Sequence, residues 1–108
     1  MKRDIAIKTL LGVVNKEALI KTTDELAQQN PGNFSLQLLH KTLKQTDDLT
    51  NNWFTALGVL AINQALFTLY LLQKACILGG HAPMKSEVKR NLLNVIAQGA
   101  KLTKADAG

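Results

Sequence analysis

Hydrophobic residues are spread unevenly along this chain, and one stretch differs from the rest. Between 53 and 72 there is no charged side chain, and the few polar residues there do not gather on one side of a helical wheel. A helix that is apolar on nearly every side is either buried in a bundle or inserted in a membrane. The pattern predicts one long apolar helix over 53–78. Gly79 and Gly80 are expected to end it, because glycine suits a helix C-cap and Pro83 prevents continuation.

The remaining segments show apolar residues spaced as on one side of a helix, with charged residues opposite. The breaker Pro31-Gly32 separates two of these segments, and Asn15 is a suitable N-cap for the segment that follows it. No run alternates apolar and polar residues as a strand would. The helices predicted around the central one cover 4–14, 16–29, 34–49 and 84–102, and the first two could be one bent helix.

Chain length limits the number of hydrophobic cores. A chain of 108 residues can build one core but not two. The predicted fold is therefore all-α, a single-domain bundle of four to five helices around a long apolar central helix at about 53–78. We predict a single helical domain over 1–102 and a flexible C-terminal tail over 103–108.

The surroundings of the apolar stretch are the main structural question. Residues 53–72 match the length of about 20 apolar residues that crosses a bilayer, and Trp53 and Tyr70 lie near its ends as interface anchors would. Against a span, Asn63 and Gln64 would fall at the costly midplane. The other amphipathic helices also need a shared partner for their apolar sides. We adopt the water-soluble bundle, and a single-pass membrane component spanning at about 53–72 is the alternative. A third possibility is a central helix half covered by its own chain, with an oligomer interface covering the rest.

The compartment follows from the cysteine content and the N-terminus. The single cysteine, Cys76, excludes an internal disulfide and the usual Cys-rich zinc patterns, and it lies on the apolar helix as a small hydrophobic residue would. The first residues contain no uncharged apolar stretch of the kind a secretory signal needs. We expect a cytoplasmic protein, or one in the inner membrane if the span is real.

Candidate catalytic residues are few. His40 is next to lysines, His81 lies in a Gly-Gly-His-Ala-Pro turn, and both are more typical of surface residues than of general bases. Asp47 and Asp48 are adjacent, so on a helix they would point in different directions. No phosphate-binding loop, nucleophile motif or metal-ligand spacing occurs. We therefore expect no catalytic residue, no cofactor and no metal.

Charge gives limited information about partners. The net charge is +5, with its densest part near the C-terminus, where Lys85, Lys89 and Arg90 form part of a basic helix side. Basic runs interleaved with aromatic residues, which are common in nucleic-acid modules, are missing. Nucleic acid is therefore a weakly supported partner.

The function predicted from these patterns is recognition of another protein. We expect a small non-enzymatic protein-binding module, of the adaptor, chaperone or inhibitor type found among bacterial or phage accessory proteins. An apolar helix groove with a basic rim would take a partner helix or a second copy of the chain. The residues expected to bind the partner are Asn63, Gln64, Tyr70, Lys85, Lys89 and Arg90. The alternatives are the single-pass membrane component and a basic helical nucleic-acid-binding protein.

Overall fold

The structure, a computed structural model, describes residues 2–45 and 52–101, and helices are the only regular elements in these ranges. The all-α prediction is therefore confirmed. There are six helices in the described parts, more than the four to five predicted: α1 (Lys2–Leu11), α2 (Lys16–Gln29), α3 (Phe34–Gln45), α4 (Asn52–Asn63), α5 (Ala65–Leu78) and α6 (Ser86–Lys101). The predicted tail over 103–108 and the end of the helix predicted over 34–49 lie outside the described residues.

Local sequence signals explain several helix ends. The Asn15 side chain accepts a hydrogen bond of 2.7 Å from the N–H of Ala18, which makes Asn15 the N-cap of α2 as predicted. After α5, Gly80 has φ 89°, a left-handed conformation that glycine adopts without strain. The N–H of His81 donates to the carbonyl of Cys76 at 3.1 Å, which satisfies a carbonyl in the last turn of α5.

The prediction of one helix over 53–78 is wrong, because the helix is interrupted at Gln64. This residue has φ −140° and ψ 68°, outside the helical region. Its carboxamide and that of Asn33 donate to each other, with both distances 2.9 Å. Neither Pro nor Gly marks the break, so the sequence pattern contains no sign of it. A side-chain pair between residues far apart in sequence holds Gln64 at this point.

Two arms lie side by side in opposite directions. The first arm consists of α2 and α3, and the second arm consists of α4 and α5. Ala18 lies against Gly79 at one end, and Asn33 pairs with Gln64 farther along. Both arms are interrupted where that pair forms, so the turn at 30–33 lies beside the break in the second arm.

Helix α6 runs back along the second arm, also antiparallel. Gly99 meets Phe54 of α4 at one end, and Met84 is hydrogen-bonded to Gln73 of α5 at the other. A Cβ atom on Gly99 would lie 2.9 Å from Phe54 Cε2 and 2.9 Å from the Cβ of Ala6 in α1. Three helices therefore meet closely at Gly99.

The protein's own helices cover one side of each helix of the second arm. Phe54, Leu57 and Leu60 of α4 are fully buried, and α4 packs against α3 and α6. Helix α5 packs against α2 and α6. Among residues 2–45 and 52–101, no helix combines the length and apolar character needed to cross a bilayer. The predicted span at 53–72 is divided at Gln64 and is not borne out.

Candidate functional site

One side of α5 belongs to the core and the other does not. Toward the core it buries Thr68, Leu71, Leu72, Ala75 and Cys76. On the surface it presents four large apolar side chains that are each at least half exposed: Leu66 (83%), Tyr70 (52%), Ile77 (51%) and Leu78 (54%). Leu66, Tyr70 and Ile77, four and seven residues apart, lie within about 40° of one another around the helix, and Leu78 lies about 100° from Ile77 on the side next to α2. We call these four residues the α5 stripe.

Two further exposed apolar residues lie beside the break in the second arm. Phe34 is 81% exposed and directly follows Asn33, which is bound to Gln64. Ile62 is 51% exposed and lies in the last turn of α4, two residues before the break. Exposed apolar residues are therefore present on both sides of the interruption.

The side of the stripe next to α2 carries a lysine and a cavity. The Nζ of Lys74 lies 3.9 Å from Oε1 of Glu25 and 5.5 Å from the centre of the Tyr70 ring. A mainly apolar, open cavity of about 280 Å³ is lined by Thr22, Glu25, Lys74, Ile77 and Leu78. A side chain from a partner could enter this cavity next to the stripe.

On the other side of the stripe, next to α6, the side-chain carboxamide of Gln73 forms two hydrogen bonds with the backbone of Met84. Gln73 Nε2 donates to the carbonyl of Met84 at 3.1 Å, and the N–H of Met84 donates to Gln73 Oε1 at 2.9 Å. These hydrogen bonds hold Met84 next to α5, and Lys85 follows Met84 directly before α6 begins. The N–H of Lys89, in the first turn of α6, donates to the carbonyl of Lys85 at 3.0 Å. Because α6 runs antiparallel to α5, this first turn leads away from Met84 in the direction of Leu66.

The structure brings together only part of the set predicted to bind a partner. Tyr70 lies on the stripe, Lys85 directly precedes the neighbouring helix α6, and Lys89 lies in the first turn of that helix. Arg90 is exposed but points about 100° away from Lys89 around α6. It is therefore not part of the same row of side chains.

The two predicted polar residues of the central stretch have different surroundings. Asn63 is exposed at the end of α4. Gln64 is partly buried and its carboxamide is engaged with Asn33, so it has a structural contact within the chain. The need for a hydrogen-bond partner at Gln64, expected for a bundle, is met by a residue of the turn between α2 and α3.

Three residues of the stripe were missed by sequence reasoning. Leu66, Ile77 and Leu78 belong to a stretch that is apolar around its whole circumference. Such a pattern does not show which side the rest of the chain covers. The only available signal was the surplus of apolar residues beyond what one buried side requires.

Of the side chains considered for chemistry, His40 and Cys76 are in contact with other residues of the protein. His40 is half-buried, and its Nε2 lies 2.8 Å from Asp24 Oδ1, although its direction departs from that of a well-aligned hydrogen bond. Lys44 Nζ lies 3.7 Å from the same oxygen. His40 therefore links α3 to α2, where a solvated residue was expected. His81 is exposed, and Cys76 is buried as predicted, with Sγ 3.3 Å from the carbonyl of Ala82.

The described parts of the chain contain no group of three His, Cys, Asp or Glu side chains that could hold a metal ion. Asp47 and Asp48 lie outside the described residues. Among the described residues, the exposed apolar side chains of the α5 stripe lie together with an open cavity and Lys74. Comparison of the chain with protein-family models, curated proteins and solved structures found no significant match.

Proposed function

We propose that this protein is a non-enzymatic protein-binding module that holds its partner along the α5 stripe. The observation that carries the proposal is the exposure of Leu66, Tyr70, Ile77 and Leu78 on one side of a helix whose other side is in the core. Single exposed apolar residues are ordinary on protein surfaces. A contiguous row of them is typical of an interaction site.

The energy available at the stripe supports this function. Covering a large apolar side chain contributes about 1.5–3 kcal/mol before the entropy of association is subtracted. Leu66 is 83% exposed, so almost its whole side chain would be newly buried. Tyr70 adds an aromatic ring with a polar end, a residue type enriched where binding energy is concentrated.

The mode of binding that suits this surface is helix packing in a shallow groove. The stripe forms a ridge, and the cavity next to Ile77 accepts side chains from a partner. Lys74 lies on one side of the ridge, and Lys85 follows Met84, which is bonded to Gln73 on the other side. Charged groups at the edge of an interface set orientation and association rate more than affinity. Adaptors, chaperones and inhibitors of small size can all act in this way.

Site-specific photo-crosslinking tests the proposal. A photoreactive phenylalanine analogue is placed at Leu66 or Tyr70 in the full chain, expressed in cells of the source organism and irradiated. A matched control carries the analogue at Ile5, which is 62% exposed on α1. We expect both stripe positions to yield the same crosslinked protein and the control position not to yield it.

Two results would overturn the proposal. One is that the analogue at Leu66 and Tyr70 gives no crosslinked protein, or gives the same products as the control position. The other is crosslinking from the stripe to nucleic acid with no protein product, which would support the nucleic-acid alternative instead.

A further inference from the structure

We infer that the partner lies on the α5 stripe as an amphipathic helix whose apolar side is flanked by carboxylates. The inference rests on the proposed function and narrows it from any protein to one class of segment. It follows from the shape of the stripe, the charges beside it and the charge of the whole chain.

The shape of the stripe favours a helix. From Leu66 to Leu78 it is straight and about 18 Å long at 1.5 Å per residue. Ridges of side chains spaced three and four residues apart pack into the grooves of another helix. An extended peptide would instead pair with a strand edge, and the described elements of the chain are all helices. A helical segment therefore matches what α5 offers.

The charges next to the stripe favour acidic side chains on the partner. Lys74 lies on the α2 side, and on the α6 side Lys85 follows Met84, whose backbone is bonded to Gln73 of α5. Glu87 lies two residues from Lys89, about 200° away around α6. A helix on the stripe would therefore have Lys74 at one edge and the segment that carries Lys85 and Lys89 at the other.

Glu25, the acidic residue next to Lys74, does not prevent Lys74 from contacting a partner. Glu25 is 3.9 Å from Lys74, and both side chains are more than a third exposed. Ion pairs of this kind contribute little, because water and salt screen them. A carboxylate on a partner could share Lys74 or replace Glu25 at little cost.

The net charge argues against a second copy of the chain as the occupant. Each copy carries a net charge of +5, and packing two stripes together would bring two sets of lysines to one interface. Like charges facing each other disfavour association. A different segment with carboxylates at its edges avoids this repulsion and is attracted over a longer range at low salt.

Two synthetic peptides test the inference with the full-length chain. Both are helical, about three heptads long, with the same leucine seam, and their edge positions are all glutamate in one and all lysine in the other. Binding is measured by calorimetry at low and high salt. We expect the glutamate peptide to bind about ten-fold or more tightly than the lysine peptide at low salt, with a smaller difference at high salt.

Variants locate the binding on the stripe. Leu66→Ser should weaken the glutamate peptide about ten-fold, since about 1.4 kcal/mol of apolar burial is lost. Ile5→Ser, an exposed apolar residue on α1, is the matched control and should leave binding unchanged. The double variant Lys74→Glu with Lys85→Glu should reverse the preference between the two peptides. Circular dichroism confirms that each variant is folded.

Equal binding of the two peptides, preference for the lysine peptide, or no binding of either would overturn the inference. Sedimentation of the free chain gives a further check. A dimer that Leu66→Ser dissociates would identify a second copy as the occupant. A crosslinked protein in cells, combined with failure of the glutamate peptide, would leave the proposed function standing and reject only this choice of partner.

Discussion

Helices α4 and α5 are consecutive, similarly apolar and derived from one uninterrupted hydrophobic stretch, yet their surroundings differ. Helix α4 is the more deeply buried, with its buried residues spread over somewhat more than half of its circumference: Trp53, Phe54, Ala56, Leu57, Gly58, Leu60 and Ala61. Helix α5 buries one side only, and large apolar residues cover the side that faces water. Two helices of similar composition are thus covered to different extents.

The difference arises from the neighbours that each helix has. Helix α4 has α3 on one side and the closely packed part of α6 on the other, where Gly99 lets Phe54 approach. Helix α5 has α2 and the first part of α6, and together they leave its outer side uncovered. Apolar surface that folding does not require is surface that a partner can use.

The largest expected effect is on the free energy of unfolding, when a leucine of α4 and a leucine of α5 are each replaced by alanine. Leu60→Ala in α4 should lower the free energy of unfolding by about 2–5 kcal/mol, because the side chain is fully buried and a cavity remains. Leu66→Ala in α5 should change it by less than about 0.5 kcal/mol, since that side chain is already in water. Urea unfolding measures both. Similar losses for the two variants would show that the α5 stripe belongs to the core.

The packing that encloses α4 can be disturbed at Gly99. Gly99→Val should destabilise the protein by about 1–3 kcal/mol, because the added atoms meet Ala6 and the Phe54 ring. Gly32→Ala is the control, since a Cβ there meets nothing within 4 Å. Thermal unfolding measures the Tm of both variants. An equal fall in Tm for Gly99→Val and Gly32→Ala would contradict close contact at Gly99.

The boundary between the two helices depends on the Gln64 and Asn33 pair. Gln64→Ala should cost about 1–2 kcal/mol, because the partly buried Asn33 loses its partner. Asn63→Ala, one residue earlier and exposed, is the control. A double-mutant cycle with Asn33→Ala should give a coupling energy of at least about 0.5 kcal/mol. Additive losses would show that the two carboxamides do not act together.

The smallest effect is expected at the edge of the α5 stripe. Lys74→Gln should change the free energy of unfolding by no more than about 0.5 kcal/mol, because its contact with Glu25 is exposed. The same variant should weaken the glutamate peptide measurably. A large loss of stability with unchanged peptide binding would assign Lys74 to the fold and not to the binding surface.

Local signals in the sequence were sufficient for the all-helical fold class and for several helix ends. Asn15 caps α2, and Gly80, just after α5, has the left-handed conformation that glycine adopts readily at a helix end. These features depend on residues within a few positions of each other, so they can be inferred without knowing the fold.

The sequence by itself determined that the chain is helical, where most helices lie and that its middle is too apolar to be left in water. Only the tertiary structure decided that this middle is interrupted at Gln64, that Gln73 holds Met84, and that Leu66 faces outward while Leu60 is buried. Helical periodicity reports which side is apolar only when the other side is polar. Where a helix is apolar all round, contacts between residues distant in sequence choose the side that is covered.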